Sequence, residues 1–330
     1  MTQETTQETT QGPTQGSEPI PHWPGRLVSV GDHEVYVRSA PAPDDAEAAL
    51  CVHGLEGSSR NWTDLMDLLR TRLACDALDL PGFGDSPPRP DGRYSIAALA
   101  QTVTALIQKR GPVHLIGNSL GGVVCVKVAA TRPELVKSLT LISPALPDSR
   151  PRLDLLRFPV VGLPRVGPRL IRQYQAALPA ERRVDAVIAT CFSNPGLFPQ
   201  ARFAAEVAEL NRRDSLEYAG AALMGSARAL TAEFLRKGRH SAWRDVTRVT
   251  APSLVIYGQD DRLVDARAAG RAAHLFNDAR VVVLPRTGHV AHMEHPGAVA
   301  AEIGILLGIP GGFRRLTEER VGEAETRSVR

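Results

Sequence analysis

The sequence predicts an α/β protein with a parallel sheet covered by helices on both faces. Three observations lead there. Short, nearly continuous apolar strings alternate with strings of helical spacing along the chain. Apolar strings of that kind suit strands buried on both sides, which is the habit of parallel sheets. One long stretch, 146–249, breaks the alternation and holds helical strings without a convincing strand, so it reads as an insertion.

The elements follow in order. Leu27 to Arg38 alternates apolar and polar residues around Gly31-Asp32, as a hairpin does. Ala49–Val52 is a short strand ending in His53-Gly54, and Trp62 to Leu73 has helical spacing. Cys75–Leu78 is another strand, closed by Pro81-Gly82, and Ile96–Ile107 reads as a helix. The apolar run Val113–Ile116 meets Gly117-Asn118-Ser119-Leu120-Gly121-Gly122, and the apolar Val123–Val126 continues as a helix. Further strands fall at Leu135–Ile142, Ser253–Tyr257 and Val281–Leu284, with a last helix over Ala298–Leu307. The insertion opens with Pro147, Pro151, Pro159, Pro164 and Pro168, then shows helical strings at Leu170–Leu178, Val184–Thr190 and Phe203–Leu210. Its large apolar residues, among them Leu155, Phe158, Ile188, Phe192 and Phe234, fit a folded lid or cap better than a linker. The expected organisation is a disordered tail over 1–24, a core from 25–145 and 250–310, a helical cap over 146–249 and a charged tail over 311–330.

Composition narrows the function classes. A chain of 330 residues with 43% apolar and 23% charged residues can bury a large core. The net charge of +3 is spread along the sequence, so no nucleic-acid footprint is expected. Cys51, Cys75, Cys125 and Cys191 lie far apart, which fits buried free thiols in a reducing compartment. No secretory signal or membrane span is legible, so the expected location is the cytoplasm without integral membrane association.

The chemistry is carried by three strand ends. A strand that turns into a helix through Gly-x-Ser-x-Gly forces its serine onto a sharp turn, hydroxyl outward. Ser119 is in that position, and Gly117, Gly121 and Gly122 supply the smallness the close approach needs. In open parallel sheets ligands bind beyond the carboxyl ends of the strands. Asp261 follows the strand 253–257 and His289 follows 281–284, so a nucleophile, an acid and a base come from three such ends. A hydroxyl needs an imidazole to accept its proton, and the imidazole needs a carboxylate to fix its tautomer. An oxyanion hole needs two backbone N–H groups. The candidates are Leu120, next to the nucleophile, and Leu55, in the turn after Val52. His53, at the head of that turn, reads as a structural histidine bonded to loop backbone.

These pieces resemble the α/β-hydrolase fold superfamily. The resemblance rests on His53-Gly54 with Trp62 downstream, Asp79-Leu80-Pro81-Gly82-Phe83-Gly84-Asp85-Ser86, the Gly-Asn-Ser-Leu-Gly-Gly elbow, Gly258-Gln259-Asp260-Asp261-Arg262 and Gly288-His289 with Glu294-His295-Pro296. It implies a mostly parallel eight-stranded sheet, a cap inserted after the sixth strand and a Ser119-His289-Asp261 triad. The family pattern puts the acid three residues after the glycine, which selects Asp261 and leaves Asp260 as a turn residue. A minority of the superfamily carries its acid after the sixth strand, where Asp148 stands. Phe83, Asn118 and His292 are candidate substrate contacts, with core packing the alternative for Phe83. His295, before Pro296, is expected to cap the last helix. No histidine pair has metal-ligand company, so neither metal nor cofactor is expected. The glycines of 79–86 lack the ending of a phosphate cradle and read as a structural loop.

A serine nucleophile implies acyl transfer to water; the related epoxide and haloalkane hydrolases carry aspartate at that place. The expected partner is an apolar small molecule bearing an ester, lactone or thioester, since the cap is rich in Leu and Phe. The Gly-Asn-Ser elbow is also similar to carbon–carbon bond hydrolases of ring-cleavage products, and a non-catalytic binding protein on this scaffold is a third reading. Arg157, Arg165, Arg169 and Arg172 are expected on a solvated helix face. Oligomeric state and substrate identity stay open at this level.

Overall fold

Gly31 takes φ +70°, a conformation costly for residues with a Cβ, and turns the chain between β1 (Gly25–Val30) and β2 (His33–Ser39). This is the expected hairpin. The computed structural model describes residues 19–147, 163, 166–236, 241–309 and 312–313. The tails 1–18 and 314–330, and Asp148, Arg157 and Arg165, lie outside the described residues.

After the hairpin come β3 (Glu47–Val52), β4 (Leu73–Leu78), β5 (Val113–Asn118), β6 (Val136–Ile142), β7 (Ser253–Gly258) and β8 (Ala279–Leu284). Among the described residues these strands form one eight-stranded sheet in the order β1-β2-β4-β3-β5-β6-β7-β8. β2 runs antiparallel to both neighbours and every later pairing is parallel. Every residue of β5 and β7 is buried, which is why their sequences read as runs rather than alternations.

Successive side chains still go to opposite faces. Leu115, Leu139, Leu141, Val255 and Tyr257 join one core, with α2 (Ile96–Gln108) and α3 (Leu120–Thr131). Ile116, Ile142, Leu254 and Ile256 join the other, with α1 (Thr63–Leu69). Leu73 belongs to β4 rather than to the helix expected over 62–73; the helix ends at Leu69. Leu73 has the right spacing to continue it, but its side chain is needed in the sheet's core.

Between β6 and β7 the described residues form helices and no strand: α4 (Gly167–Ala177), α5 (Ala180–Cys191), α6 (Gln200–Asp214), α7 (Ala219–Leu235) and α8 (Ala242–Val246). The core then closes with α9 (Ala268–Leu275), α10 (Ala291–Glu294) and α11 (Pro296–Leu306). The alanine-rich α7 and α9 carry too little apolar contrast to stand out in the sequence. Their small side chains have a purpose at the seams. The backbone of Gly225 meets the Tyr94 ring, where an added Cβ would come within 2.6 Å, and Ala222 meets Gly82 at similar range.

Candidate active site

Ser119 has φ 53° and ψ −117°, between the last residue of β5 and the first of α3. A left-handed, non-glycine residue at such a turn stores strain of about 1–3 kcal/mol. Its N–H donates to the Ile142 carbonyl at 3.1 Å, and its own carbonyl accepts from Val123 (3.2 Å) and Ala145 (3.1 Å). The flanking glycines are sterically required. A Cβ on Gly117 would lie 2.6 Å from Cys125 Sγ and 2.7 Å from the Gly121 carbonyl oxygen. A Cβ on Gly121 would fall onto the carbonyl oxygens of Val52 and His53, and one on Gly122 would lie 2.9 Å from Pro144 Cβ. The serine itself is half-buried, while its neighbours 113–118 and 120 are fully buried.

Asp261 and His289 meet. His289 Nδ1 donates to Asp261 Oδ2 at 2.8 Å, and both side chains are buried. Asp261 Oδ1 accepts the N–H groups of Leu263 (2.7 Å) and Val264 (2.9 Å). Burial pushes the Asp261 carboxyl upward, but the His289 charge, its hydrogen bond and those two N–H groups outweigh burial and hold it below the usual carboxylate range. Asp260 is exposed, and its Oδ2 accepts from the Ser193 hydroxyl at 2.7 Å. Adjacency in sequence thus separates them: one carboxylate points in to the imidazole, the other out to the insertion.

The His289 backbone is held from both sides. Its N–H donates to the Cys191 carbonyl at 2.7 Å, and its carbonyl accepts from Asn118 Nδ2 at 3.1 Å. The same Asn118 amide donates to the Ile142 carbonyl at 3.0 Å. Asn118 is only 4% exposed and both of its amide hydrogens go to backbone carbonyls, so it ties the elbow to the histidine loop. Glu294, for which the sequence indicates no role, does similar service. Its buried carboxylate accepts from Gly288 N (2.7 Å), Ser193 N (3.2 Å) and Asn194 N (2.9 Å). A Cβ on Gly288 would collide with the Cys191 carbonyl, so this loop also needs its glycine. No side-chain pattern could have revealed the Cys191 contact, because a backbone carbonyl leaves no mark in sequence.

Gly54 lies directly against the elbow: a Cβ there would sit 3.0 Å from Ser119 Cβ and 3.0 Å from Asn118 Oδ1. Leu55 is partly buried beside it, and Leu120 is fully buried at the start of α3. His53 Nε2 accepts from Leu80 N–H (2.9 Å), so its Nδ1 carries the proton and donates to the Gly54 carbonyl (2.7 Å). Complete burial lowers its pKa to about 4, so the ring stays neutral. In the 79–86 loop, Asp79 accepts from Ser59 N (2.5 Å) and Asp85 N (2.8 Å), and Ser86 Oγ donates to the Asp79 carbonyl (2.6 Å). That is a self-bonded structural turn. Phe83 is 5% exposed and packs edge-on to His53 at 5.7 Å between centroids.

His292 is buried and stacks on Trp62 with centroids 4.2 Å apart. Burial, with His289 nearby, lowers its pKa to about 3. His295 occupies the position before α11 but does not cap it; its Nε2 bonds the Arg286 carbonyl at 3.1 Å. The following Pro296 has no N–H to be capped, which removes part of the demand. The insertion also holds the core at several further points. Arg213 donates to the Glu56 carbonyl (2.6 Å) and Arg212 to the Gly84 carbonyl (2.7 Å), while Arg202 grips Asp64 with both terminal nitrogens (2.6 and 2.8 Å). Among the described residues, no group of three or more His, Cys, Asp or Glu is placed to hold a metal ion.

Comparison with known proteins agrees with this architecture. Residues 49–296 match the family described as alpha/beta hydrolase fold. The chain is 37% identical over 112 residues to the dihydrolipoyllysine-residue acetyltransferase component of the acetoin cleaving system of Cupriavidus necator, a match spanning 33% of this chain and 30% of that protein. It is 28% identical over 265 residues to the pimeloyl-[acyl-carrier protein] methyl ester esterase of Neisseria meningitidis serogroup B, covering 78% of this chain and 92% of the relative. The solved structure of 2-hydroxy-6-oxo-6-phenylhexa-2,4-dienoate hydrolase from Rhodococcus sp. strain RHA1 is similar in fold, with a TM-score of 0.68 at 19% identity over 86% of this chain and 99% of that one.

Proposed function

The chain belongs to the alpha/beta hydrolase fold family, and from that membership we propose that it is a serine hydrolase cleaving a carboxylic ester, lactone or thioester of an apolar small molecule. The observations that support the reading are the buried Asp261–His289 pair at the carboxyl ends of β7 and β8, and the strained Ser119 at the carboxyl end of β5, whose neighbour Asn118 bonds the His289 carbonyl. In this mechanism Ser119 Oγ attacks the carbonyl carbon and His289 Nε2 takes its proton. Asp261 keeps the Nδ1–H tautomer and stabilises the imidazolium. The tetrahedral oxyanion is received by the N–H groups of Leu55 and Leu120. The imidazolium then protonates the leaving oxygen or sulfur. Water, deprotonated by His289, attacks the acyl-enzyme and frees Ser119.

The insertion between β6 and β7 acts as the cap in this reading, and its apolar residues select the acyl or aromatic part of the substrate. An ester is favoured because the Neisseria relative is named as an ester hydrolase and aligns along nearly its full length. The elbow Gly117-Asn118-Ser119 favours a second reading, hydrolysis of a carbon–carbon bond in a vinylogous diketone. A panel of short p-nitrophenyl esters, lactones and ring-cleavage diketones, scored by kcat/KM, separates the two. Ser119→Ala is expected to lower ester turnover by roughly a thousandfold or more with the fold intact, and to abolish labelling by a fluorophosphonate probe. Asp261→Asn should cost far more than Asp260→Asn. Wild-type protein that neither labels nor turns over any member of the panel would leave a binding protein on this scaffold.

A further inference from the structure

Ten large apolar side chains are exposed among the described residues, and five of them, Leu163, Val166, Leu170, Tyr174 and Leu178, fall within 163–178. Helix α4 occupies the centre of that stretch. Val166, Leu170 and Tyr174 recur every fourth residue on helical backbone, so they stand in one ridge, with Leu178 just past the helix end. Arg169 and Arg172 are exposed next to the ridge, whereas Gln175 lies with Ile171 on the half-buried side, where its Nε2 reaches Asp214 Oδ1 of α6 at 2.8 Å. The helix is therefore turned the unusual way round. A surface helix of a globular protein sends its apolar stripe inward; α4 turns Ile171 and Gln175 inward and leaves the longer apolar ridge outside.

Charge points to what covers it. Residues 163–178 contain three arginines and no aspartate or glutamate. We propose that α4 lies flat in an anionic lipid surface, with Val166, Leu170 and Tyr174 sunk to the acyl boundary and Arg169 and Arg172 paired with headgroup phosphates. Apolar ridge, flanking arginines and a tyrosine at the margin are what an interfacial helix requires, because long cationic side chains can bend back to the headgroups. A second copy of the chain fits less well, since a two-fold contact through this ridge would bring like arginines together. A protein groove fits less well too. Tyr174 carries the ridge's one side-chain hydrogen-bonding group, so little fixes a register against a folded partner, whereas a bilayer needs none. Among the described residues no helix is long and apolar enough to cross a membrane, so the mode is flat-lying.

The test uses the full chain carrying Ser119→Ala, so that binding is read apart from turnover. It is sedimented with vesicles of phosphatidylglycerol and phosphatidylcholine, and with phosphatidylcholine alone. Binding to the anionic vesicles should be roughly tenfold tighter or better and should weaken with added salt. Leu170→Glu with Tyr174→Glu, and separately Arg169→Glu with Arg172→Glu, should each lower it roughly tenfold or more. Each pair should leave the far-ultraviolet circular dichroism and the thermal unfolding midpoint of the Ser119→Ala parent unchanged, which shows that it folds. Absence of binding to anionic vesicles, or binding indifferent to both pairs, overturns the proposal. So does a lipid-free dimer in light scattering that dissociates with Leu170→Glu, which would assign the ridge to a second copy. None of these outcomes depends on the hydrolase reading, whose failure shows only in turnover and probe labelling.

Discussion

At His289 the side chain is held by one carboxylate and the backbone by two other parts of the chain. Asp261 holds the ring, the Cys191 carbonyl takes the N–H and the Asn118 amide takes the carbonyl. Glu294 completes the frame by accepting three N–H groups, one from the glycine before His289 and two from the segment after α5. Hydrogen bonds to a buried charged acceptor contribute about 1.5–3 kcal/mol each, and a donor left without its acceptor costs more than the bond was worth. Glu294→Gln is nearly isosteric but replaces one acceptor oxygen with an NH2 group that faces N–H donors. We expect it to lower kcat by about tenfold or more with a smaller change in KM, because Glu294 touches the loop that carries the imidazole. Steady-state kinetics on a short ester would check this, and an unchanged kcat would remove Glu294 from the positioning frame. Ser119, Asp261 and His289 were legible because motif and strand end agree on each. The roles of Glu294 and Asn118 leave no such mark, since most of their partners are backbone groups far along the chain.

The elbow is an element whose geometry is decided by what cannot fit. Gly121 packs its Cα against the backbone of Val52 and His53, and neither can retreat without breaking β3 from the sheet. Gly121→Ala is therefore expected to destabilise by at least about 3 kcal/mol, in the range of severe overpacking, and to leave little soluble protein. Gly270→Ala is the contrasting case. It sits in α9 with nothing within 4 Å of an added Cβ, and alanine is the better helix former by up to about 1 kcal/mol. Thermal unfolding of the two variants should move in opposite directions. The strands and most helices were visible as period and length. The alanine-rich α7 and α9 were not, because small side chains serve close packing and carry little apolar contrast.

Across the whole molecule, burial of neutral imidazoles makes stability depend on pH. His53 and His292 are held at about 4 and about 3, below the ordinary 6.5, in both cases first by burial. Above pH 6.5 both rings are neutral in the folded and the unfolded chain and contribute nothing. As the pH falls from there, the unfolded chain binds protons that the folded chain refuses, so stability falls until the folded values are reached. The loss approaches roughly 1.4 kcal/mol per pH unit for each ring. Asp261 works at lower pH, since its depressed carboxyl stabilises above its unfolded value and ceases to as the pH drops through the folded one. Urea unfolding between pH 7 and about 4.5 should show a falling midpoint, with His53 and His292 together accounting for the uptake of up to about two protons. A flat midpoint across that window would mean that neither ring is kept neutral.

The sequence by itself determined the α/β class, the helical nature of the insertion, and the elbow and strand ends that carry Ser119, Asp261 and His289. Those are local matters, since strand apolarity, turn glycines and position after a strand are all written in neighbouring residues. The spacing from Gly258 already selects Asp261 over Asp260, and only the tertiary structure decided that Asn118 and Glu294 brace the histidine loop and that α4 turns its apolar ridge outward. Those outcomes depend on backbone groups and helix faces brought together from distant parts of the chain. A sequence lists such groups without recording which of them meet.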